Sequence, residues 1–175
     1  MQTIATGHGR RLALDTVGDA AGPPVVVLPG GPCRGPEYLG DLAGLAAVRR
    51  LAVVHPRGTA STGGLSRGWW RDAEDVPAVL RHLGGAPLDV LAHSAGTRLA
   101  LALAARFPGQ VRSLTLVTPP STWLTGAPHD GADLVAARRD PVVDTAWAAL
   151  CAAGDTADEA TFQRALTDAA PAGYA

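Results

Sequence analysis

The sequence predicts an α/β fold built on a mostly parallel, doubly wound sheet. Two observations lead to this prediction. Apolar, strand-like runs alternate with stretches of helical spacing between residues 25 and 117, and the connections between them are short. Several of the runs are continuously apolar, which is typical of strands covered on both faces. Each parallel pairing needs a crossover, and a helix between successive strands supplies it.

The elements follow in a regular order. Residues 2–6 and 11–17 are short, partly alternating runs joined by a Gly-His-Gly turn, and they predict an antiparallel hairpin. After Pro23 and Pro24 the buried-type strands begin. The predicted strands are 25–28, 51–55, 88–91 and 113–117, and the predicted helices are 37–48, 69–83 and 96–107.

After Pro119 and Pro120 the pattern changes to helices without strands. The predicted helices are 132–139, 142–152 and 158–169, and the last five residues, PAGYA, are expected to be non-helical because they lack apolar periodicity. We therefore predict two parts, an α/β core at residues 1–120 and a helical appendage at residues 121–175.

The composition limits the possible partners. A chain of 175 residues that is 47% hydrophobic can bury a sizeable core, and a net charge of −1 gives no electrostatic case for binding nucleic acid or a membrane. The first residues lack a signal-peptide pattern and no apolar run is long enough to span a bilayer, so the cytoplasm is the expected location. Cys33 and Cys151 lack metal-ligand spacing, and we expect neither a metal nor a cofactor.

One segment of the chain contains the candidate catalytic residue. Residues 91–107, LAHSAGTRLALALAARF, combine an apolar run, a serine among small residues and an amphipathic helix. This is the pattern of a nucleophile elbow, where the serine backbone is strained and its neighbours must be small. Ser94 is the candidate nucleophile, flanked by Ala92, Ala95 and Gly96. A serine that only caps an ordinary helix is the alternative from this segment alone.

The residue types present restrict the base that could activate this serine. All fifteen basic residues are arginine and no asparagine occurs, which excludes a serine–lysine dyad and a Cys-His-Asn arrangement within these residues. Histidine remains as the candidate base.

Three motifs in this order resemble the α/β-hydrolase superfamily, and within it the proline iminopeptidase-like group. They are LPGGPCRGPEYLGDLAGLA from Leu28, HPRGTASTG from His55 and AHSAGTRLALALAARFPGQVRSLTLVTPP from Ala92. The resemblance implies an α/β-hydrolase fold, incomplete at its C-terminal end, with residues 121–175 as the start of a helical cap. The family's H-G-G-P-G loop departs here at Pro29 and Cys33.

The resemblance also implies roles for individual residues. The backbone N–H groups of Gly31 and Ala95 are expected to form the oxyanion hole. Trp123, together with Trp69 and Trp70, is a candidate for lining an apolar substrate pocket.

Three polar side chains near the motifs have expected structural roles. We expect Arg57 to organise its loop rather than to touch substrate, and His55 to pack beneath the site. His93 precedes the elbow serine, so its ring should point away from the hydroxyl of Ser94 and cannot act as its base.

The triad partners of this fold normally follow the seventh and eighth strands, beyond the last predicted strand here. Only His129, beside Asp130, is available after the sixth strand. Loss of the triad histidine costs on the order of a millionfold in turnover, so we expect the chain alone to be nearly inactive. A C-terminal fragment of the same enzyme would supply the catalytic aspartate and histidine.

The resemblance therefore implies a serine hydrolase that cleaves an amide or ester of a small molecule or short peptide through an acyl-enzyme. A proline iminopeptidase-like aminopeptidase is the expected type. Esterase and acyl-transfer activities stay open, because the cap shows no matching pattern of amine-binding acidic residues. The alternative class is a non-catalytic binding or interaction module derived from a truncated hydrolase.

Overall fold

The computed structural model describes residues 1–31, 35–120, 128, 130–152 and 159–174, without the side chains of 8, 159, 160, 162, 163, 166, 173 and 174. The chain divides into two compact units, Met1–Pro120 and Ser121–Ala175. The first unit contains a six-stranded sheet with its covering helices. The described part of the second unit is helical.

The sheet confirms the predicted architecture. Its order is β1-β2-β4-β3-β5-β6, with β1 and β2 antiparallel to their neighbours and β3, β4, β5 and β6 parallel to one another. The strands are β1 (Gln2–Ala5), β2 (Arg11–Val17), β3 (Val25–Leu28), β4 (Leu51–His55), β5 (Leu88–His93) and β6 (Val111–Val117).

The α-helices lie between and after these strands. They are α1 (Trp69–Asp72), α2 (Val76–His82) and α3 (Gly96–Arg106) in the first unit, and α4 (Gly131–Arg138), α5 (Pro141–Ala152) and α6 (Glu159–Tyr174) in the second. No helix in the described ranges has the length and apolar character needed to cross a bilayer.

Strand β3 lies in the middle of the core, and all four of its residues are buried. On one face Val26 and Leu28 pack with the apolar side chains of α2 and α3 in the larger core cluster. On the other face Val25 and Val27 pack with leucines of the segment before β4. This two-sided burial explains why the strand reads as a continuous apolar run.

The predicted helix at 37–48 is wrong. The segment forms two short 3₁₀ turns, Pro36–Leu39 and Leu45–Ala47, and the backbone between them has positive φ, +54° at Leu42 and +88° at Gly44. An α-helix requires negative φ throughout, so these residues interrupt it. The leucines still pack against the sheet, which accounts for their helix-like spacing.

Two other predicted helix boundaries need correction. The helix predicted at 69–83, which Pro77 could either begin or break, is divided into α1 and α2, and Pro77 lies in the first turn of α2, where its missing N–H costs nothing. The last helix continues to Tyr174 with Pro171 inside it, although PAGYA was expected to be non-helical. Pro171 and residues of α5 line a shallow depression between the two helices. A proline inside a helix removes one backbone hydrogen bond, so the helix continues here despite that loss.

Helix α3 passes very close to the end of β3. A Cβ added to Gly96 would lie 2.2 Å from the carbonyl oxygen of Pro29 and 2.7 Å from that of Leu28. A Cβ on Gly30 would likewise lie 2.8 Å from the Cβ of Ser94. The loop after β3 and the start of α3 can therefore meet only because both positions are glycine.

We expect Gly96→Ala to lower the free energy of unfolding by about 1–3 kcal/mol, because the added methyl group overpacks backbone that cannot move freely. Gly109→Ala is the matched control, since nothing lies within 4 Å of its added Cβ. Urea unfolding of both variants measures the difference. Equal effects of the two substitutions would contradict the close passage.

Asp89 on β5 connects three segments through its carboxylate. It accepts hydrogen bonds from Arg112 Nε at 2.8 Å, Ser113 Oγ at 2.6 Å and Arg49 Nη2 at 3.2 Å. The hydrogen bonds from Arg112, and then the one from Ser113, hold the pKa of Asp89 well below its ordinary value. This cluster ties β6 and the segment before β4 to β5.

This pKa predicts how stability changes with pH. A carboxyl whose pKa is lowered by folding stabilises the protein above its unfolded pKa of about 3.9, and the effect is lost as the pH falls through the folded value. Asp89→Asn should therefore cost about 1 kcal/mol at pH 7, the upper range for a partly exposed pair. Urea unfolding should show this cost unchanged at pH 5 and shrinking between pH 4 and pH 2. A cost that grew on acidification would refute the assignment.

Candidate active site

Ser94 has the backbone of a nucleophile elbow. Its φ is +49°, a left-handed value that non-glycine residues rarely adopt. The turn is held on both sides, because the N–H of Ser94 donates to the carbonyl of Val117 at 2.9 Å and its carbonyl accepts from the N–H of Thr97 at 3.0 Å. Such a conformation costs on the order of 1–3 kcal/mol and persists only where the surroundings impose it.

The serine does not cap the helix that follows it. Ala95 occupies the N-cap of α3, and no side chain caps that helix. Ser94 is half-buried, and its Oγ makes no hydrogen bond to any residue that the structure describes. The hydroxyl is therefore available to a ligand.

The backbone N–H groups of Gly31 and Ala95 have no hydrogen-bond partners in the described ranges. Gly31 has φ +77°, and Ala95 lies at the positive end of α3, where helical N–H groups have no intrahelical acceptor. Gly30 and Ser94 are in contact, so the next residue on each side of that contact carries one of these donors.

Tyr38 is a site residue that the sequence reasoning missed. Its hydroxyl accepts a hydrogen bond from the N–H of Gly30 at 2.7 Å and lies 2.8 Å from Nδ1 of His93. Nδ1 of His93 is thus engaged with Tyr38, and no hydrogen bond joins the His93 ring to the hydroxyl of Ser94 within the described residues. No sequence signal marked Tyr38, because it stood inside a segment predicted to be an ordinary helix.

Arg57 has the structural role that was expected of it. Its Nε donates to the buried carboxylate of Asp75 at 2.6 Å. The same carboxylate accepts from Thr6 Oγ1 at 2.8 Å and pairs with Arg10 at 3.1 Å. Arg57 therefore joins the loop after β4 to the start of α2 and to the N-terminal hairpin.

His55 is 2% exposed, and its Nε2 lies 2.9 Å from the carboxylate of Asp15. The hydrogen bond from His55 is the main reason that the pKa of Asp15 is lowered. His55 thus packs inside the fold as a partner of β2, and no hydrogen bond joins it to Ser94 within the described residues.

The tryptophans do not form the expected pocket in the described part of the chain. Trp69 packs against the larger core cluster, and Trp70 is 58% exposed with the Arg106 guanidinium 5.2 Å from its ring centroid. Trp123, Cys33 and His129 lie outside the described residues.

Within residues 1–31, 35–120 and the described helices, no imidazole or carboxylate is hydrogen-bonded to the hydroxyl of Ser94. The same residues contain no group of three or more His, Cys, Asp or Glu side chains arranged to hold a metal ion. The described chain thus presents, at the elbow and the loop after β3, a hydroxyl and two backbone N–H groups that have no partners among the described residues.

Several solved structures resemble the chain. AqDC, described for recognition and ring-cleavage of the Pseudomonas quinolone signal, is 27% identical with a TM-score of 0.60, covering 81% of this chain and 53% of that one. An α/β hydrolase from Sphaerobacter thermophilus is 26% identical with a TM-score of 0.59, and the match covers 78% of this chain and 53% of that one. A thermophilic esterase from Thermogutta terrifontis is 22% identical with a TM-score of 0.59, and the match covers 83% of this chain and 56% of that one. At this identity the similarity shows only that the two chains share a fold.

The chain spans about half the length of these solved structures. No curated protein matches it. Residues 23–168 match the family model described as the alpha/beta hydrolase fold. The match covers most of the chain and includes the loop after β3 and the elbow. The chain therefore belongs to the α/β-hydrolase family.

Proposed function

We propose that this chain is the nucleophile-bearing part of a serine hydrolase that cleaves an amide or ester through an acyl-enzyme. The main observation behind this proposal is the left-handed backbone of Ser94, whose φ is +49°. Its side chain is half-buried, and its hydroxyl has no hydrogen-bond partner among the described residues. The adjacent N–H groups of Gly31 and Ala95 support the same function. Together they supply two of the three parts that acyl transfer needs, a nucleophile and an oxyanion hole.

In the proposed reaction, Ser94 is the nucleophile and the two backbone N–H groups bind the oxyanion. The Oγ of Ser94 attacks the carbonyl carbon of the substrate while an imidazole accepts its proton. The negative charge that develops on the carbonyl oxygen is stabilised by the N–H groups of Gly31 and Ala95, and one such donor contributes about 3–4 kcal/mol. The bond to the leaving group breaks as the imidazolium gives it the proton. Water then attacks the acyl-enzyme carbonyl and gives a proton to the same imidazole, and the bond to Oγ of Ser94 breaks as that proton returns to it.

The imidazole is proposed to come from a C-terminal fragment of the same enzyme, together with the aspartate that orients it. Two observations support this part of the proposal. In the described structure β6 pairs on one side only, with β5, and Val117 at its end is 39% exposed. The matched structures are about twice as long as this chain. A further strand beside β6 would cover this edge.

For the substrate we propose an N-terminal prolyl amide, following the resemblance of the three loop motifs to the proline iminopeptidase-like group. Simple esters are the second candidate substrate, because ester and amide cleavage share the same acyl-enzyme chemistry. Prolyl 4-nitroanilide and 4-nitrophenyl acetate distinguish the two. The AqDC resemblance makes the role of Ser94 the first point to test, since that protein is described for ring cleavage.

A non-catalytic binding module is the second candidate function. It is favoured by one observation, that the hydroxyl of Ser94 has no base among the described residues. In that case Ser94 would keep its strained backbone without being activated.

A fluorophosphonate probe tests the proposal directly, since it reacts rapidly only with an activated serine. With the C-terminal fragment present, we expect rapid labelling at Ser94, located by peptide mass spectrometry. Ser94→Ala should abolish labelling and lower kcat for the best substrate by about a millionfold. Omission of the fragment should have a comparable effect on kcat.

Ser61→Ala is the matched control, because Ser61 is exposed and its hydroxyl has no hydrogen bond within the described chain. This variant should label and turn over at the wild-type rate. Labelling of the native protein no faster than that of a urea-denatured sample would reject the hydrolase and support the binding module.

A further inference from the structure

The hydroxyl of Tyr38 connects the loop after β3 to the elbow before α3. It lies 2.7 Å from the backbone nitrogen of Gly30 and 2.8 Å from Nδ1 of His93. The two rings also touch, with centroids 5.6 Å apart and planes tilted by 51°. One side chain thus contacts the residue before the Gly31 donor and the residue before the Ser94 nucleophile.

The direction of these hydrogen bonds follows from the groups involved. A backbone N–H can only donate, so the phenol oxygen is the acceptor for Gly30. The hydroxyl proton of Tyr38 can then be donated to Nδ1 of a neutral His93 that carries its proton on Nε2. Gly30 thus donates to Tyr38 and Tyr38 donates to His93, so each of the three groups acts as a donor or acceptor that its chemistry allows.

The hydrogen bond from Gly30 to Tyr38 leaves the N–H of Gly31, and not that of Gly30, available to a substrate. The N–H of Gly30 is used by Tyr38, whereas the N–H of Gly31 has no partner in the described chain. Gly30 is also fixed by packing, since a Cβ there would lie 2.8 Å from both the Cβ of Ser94 and the carbonyl oxygen of His93. A fixed Gly30 restricts the orientation of the next peptide group, which carries the Gly31 donor.

We infer that Tyr38 is a positioning residue, whose hydroxyl holds the Gly31 N–H in the oxyanion hole by locking Gly30 against the elbow. This inference rests on the proposed hydrolase function and adds to it a side chain that does not touch the reacting atoms. An oxyanion donor acts only when it is preorganised, and an error of about 1 Å in a catalytic group can cost a hundredfold in rate.

The surroundings of Tyr38 indicate that its hydroxyl matters more than its burial. The side chain lies on the 3₁₀ turn Pro36–Leu39 and is 37% exposed, unlike the core residues around it. Removing only the hydroxyl therefore leaves most of the apolar packing in place. The loss of the contacts of the hydroxyl with Gly30 and His93 can then be measured separately from a loss of folding.

Tyr38→Phe tests the inference with two readouts. In the 175-residue chain, hydrogen exchange of the Gly30 amide should become at least tenfold faster, because its acceptor is gone. In whichever form the wild type hydrolyses 4-nitrophenyl acetate, alone or with the C-terminal fragment, kcat should fall about tenfold while KM changes less than twofold. A residue that only stabilised the fold would not lower kcat while leaving KM nearly unchanged.

Thr62→Val is the matched control for loss of a hydroxyl. Thr62 Oγ1 accepts from the N–H of Ala13 at 2.9 Å and donates to the carbonyl of His55 at 2.6 Å, so it connects backbone without contacting the elbow. We expect a lower Tm and an unchanged kcat for this variant. A Tm within a few degrees of wild type is expected for Tyr38→Phe.

The outcomes separate the two proposals. If wild type and Tyr38→Phe turn over the ester equally, or if the exchange of Gly30 is unchanged, the inference about Tyr38 is overturned and the hydrolase stands. If neither protein turns over any substrate of the panel and Ser94 is not labelled, the proposed function itself is overturned, and the positioning role falls with it.

Discussion

The close passage of helix α3 across the end of strand β3 is the constraint on which the candidate site depends. Gly96 lies so near the carbonyl oxygens of Leu28 and Pro29 that no Cβ fits there. Strand β5 ends at His93, so only two residues remain to turn the chain into the helix. Ser94 therefore adopts φ +49°, and its hydroxyl is displayed at the carboxyl edge of the sheet rather than covered by it.

The polar groups around this edge fall into two kinds. The Asp75 carboxylate is buried and shared by Arg57, Arg10 and Thr6, which makes it part of the scaffold that holds the loops. The hydroxyl of Ser94 and the N–H groups of Gly31 and Ala95 have no partners within the described residues. Polar groups without protein partners at an accessible edge can bind water or a ligand, which distinguishes them from the paired groups of the scaffold.

Sequence patterns predicted β3 and β4 closely, because a continuous apolar run is what burial on both faces produces, and every residue of these two strands is buried. They failed at residues 37–48, where leucines spaced as in a helix belong to 3₁₀ turns around left-handed residues such as Leu42. Apolar spacing reports which side chains face the sheet, and a tight irregular segment can meet that requirement as well as a helix can. The same error concealed Tyr38, a side chain whose hydroxyl contacts both loops of the site.

By itself the sequence determined the alternation of strands and helices, the small residues on both sides of Ser94, and hence which serine the elbow presents. These features depend on neighbours along the chain. The tertiary structure alone decided that Tyr38 reaches both Gly30 and His93, eight and fifty-five residues away, and that Arg57 meets Asp75. The physical reason is the strand order: β3 pairs with β5 although β4 lies between them in sequence, and no local pattern encodes which loops that pairing brings together.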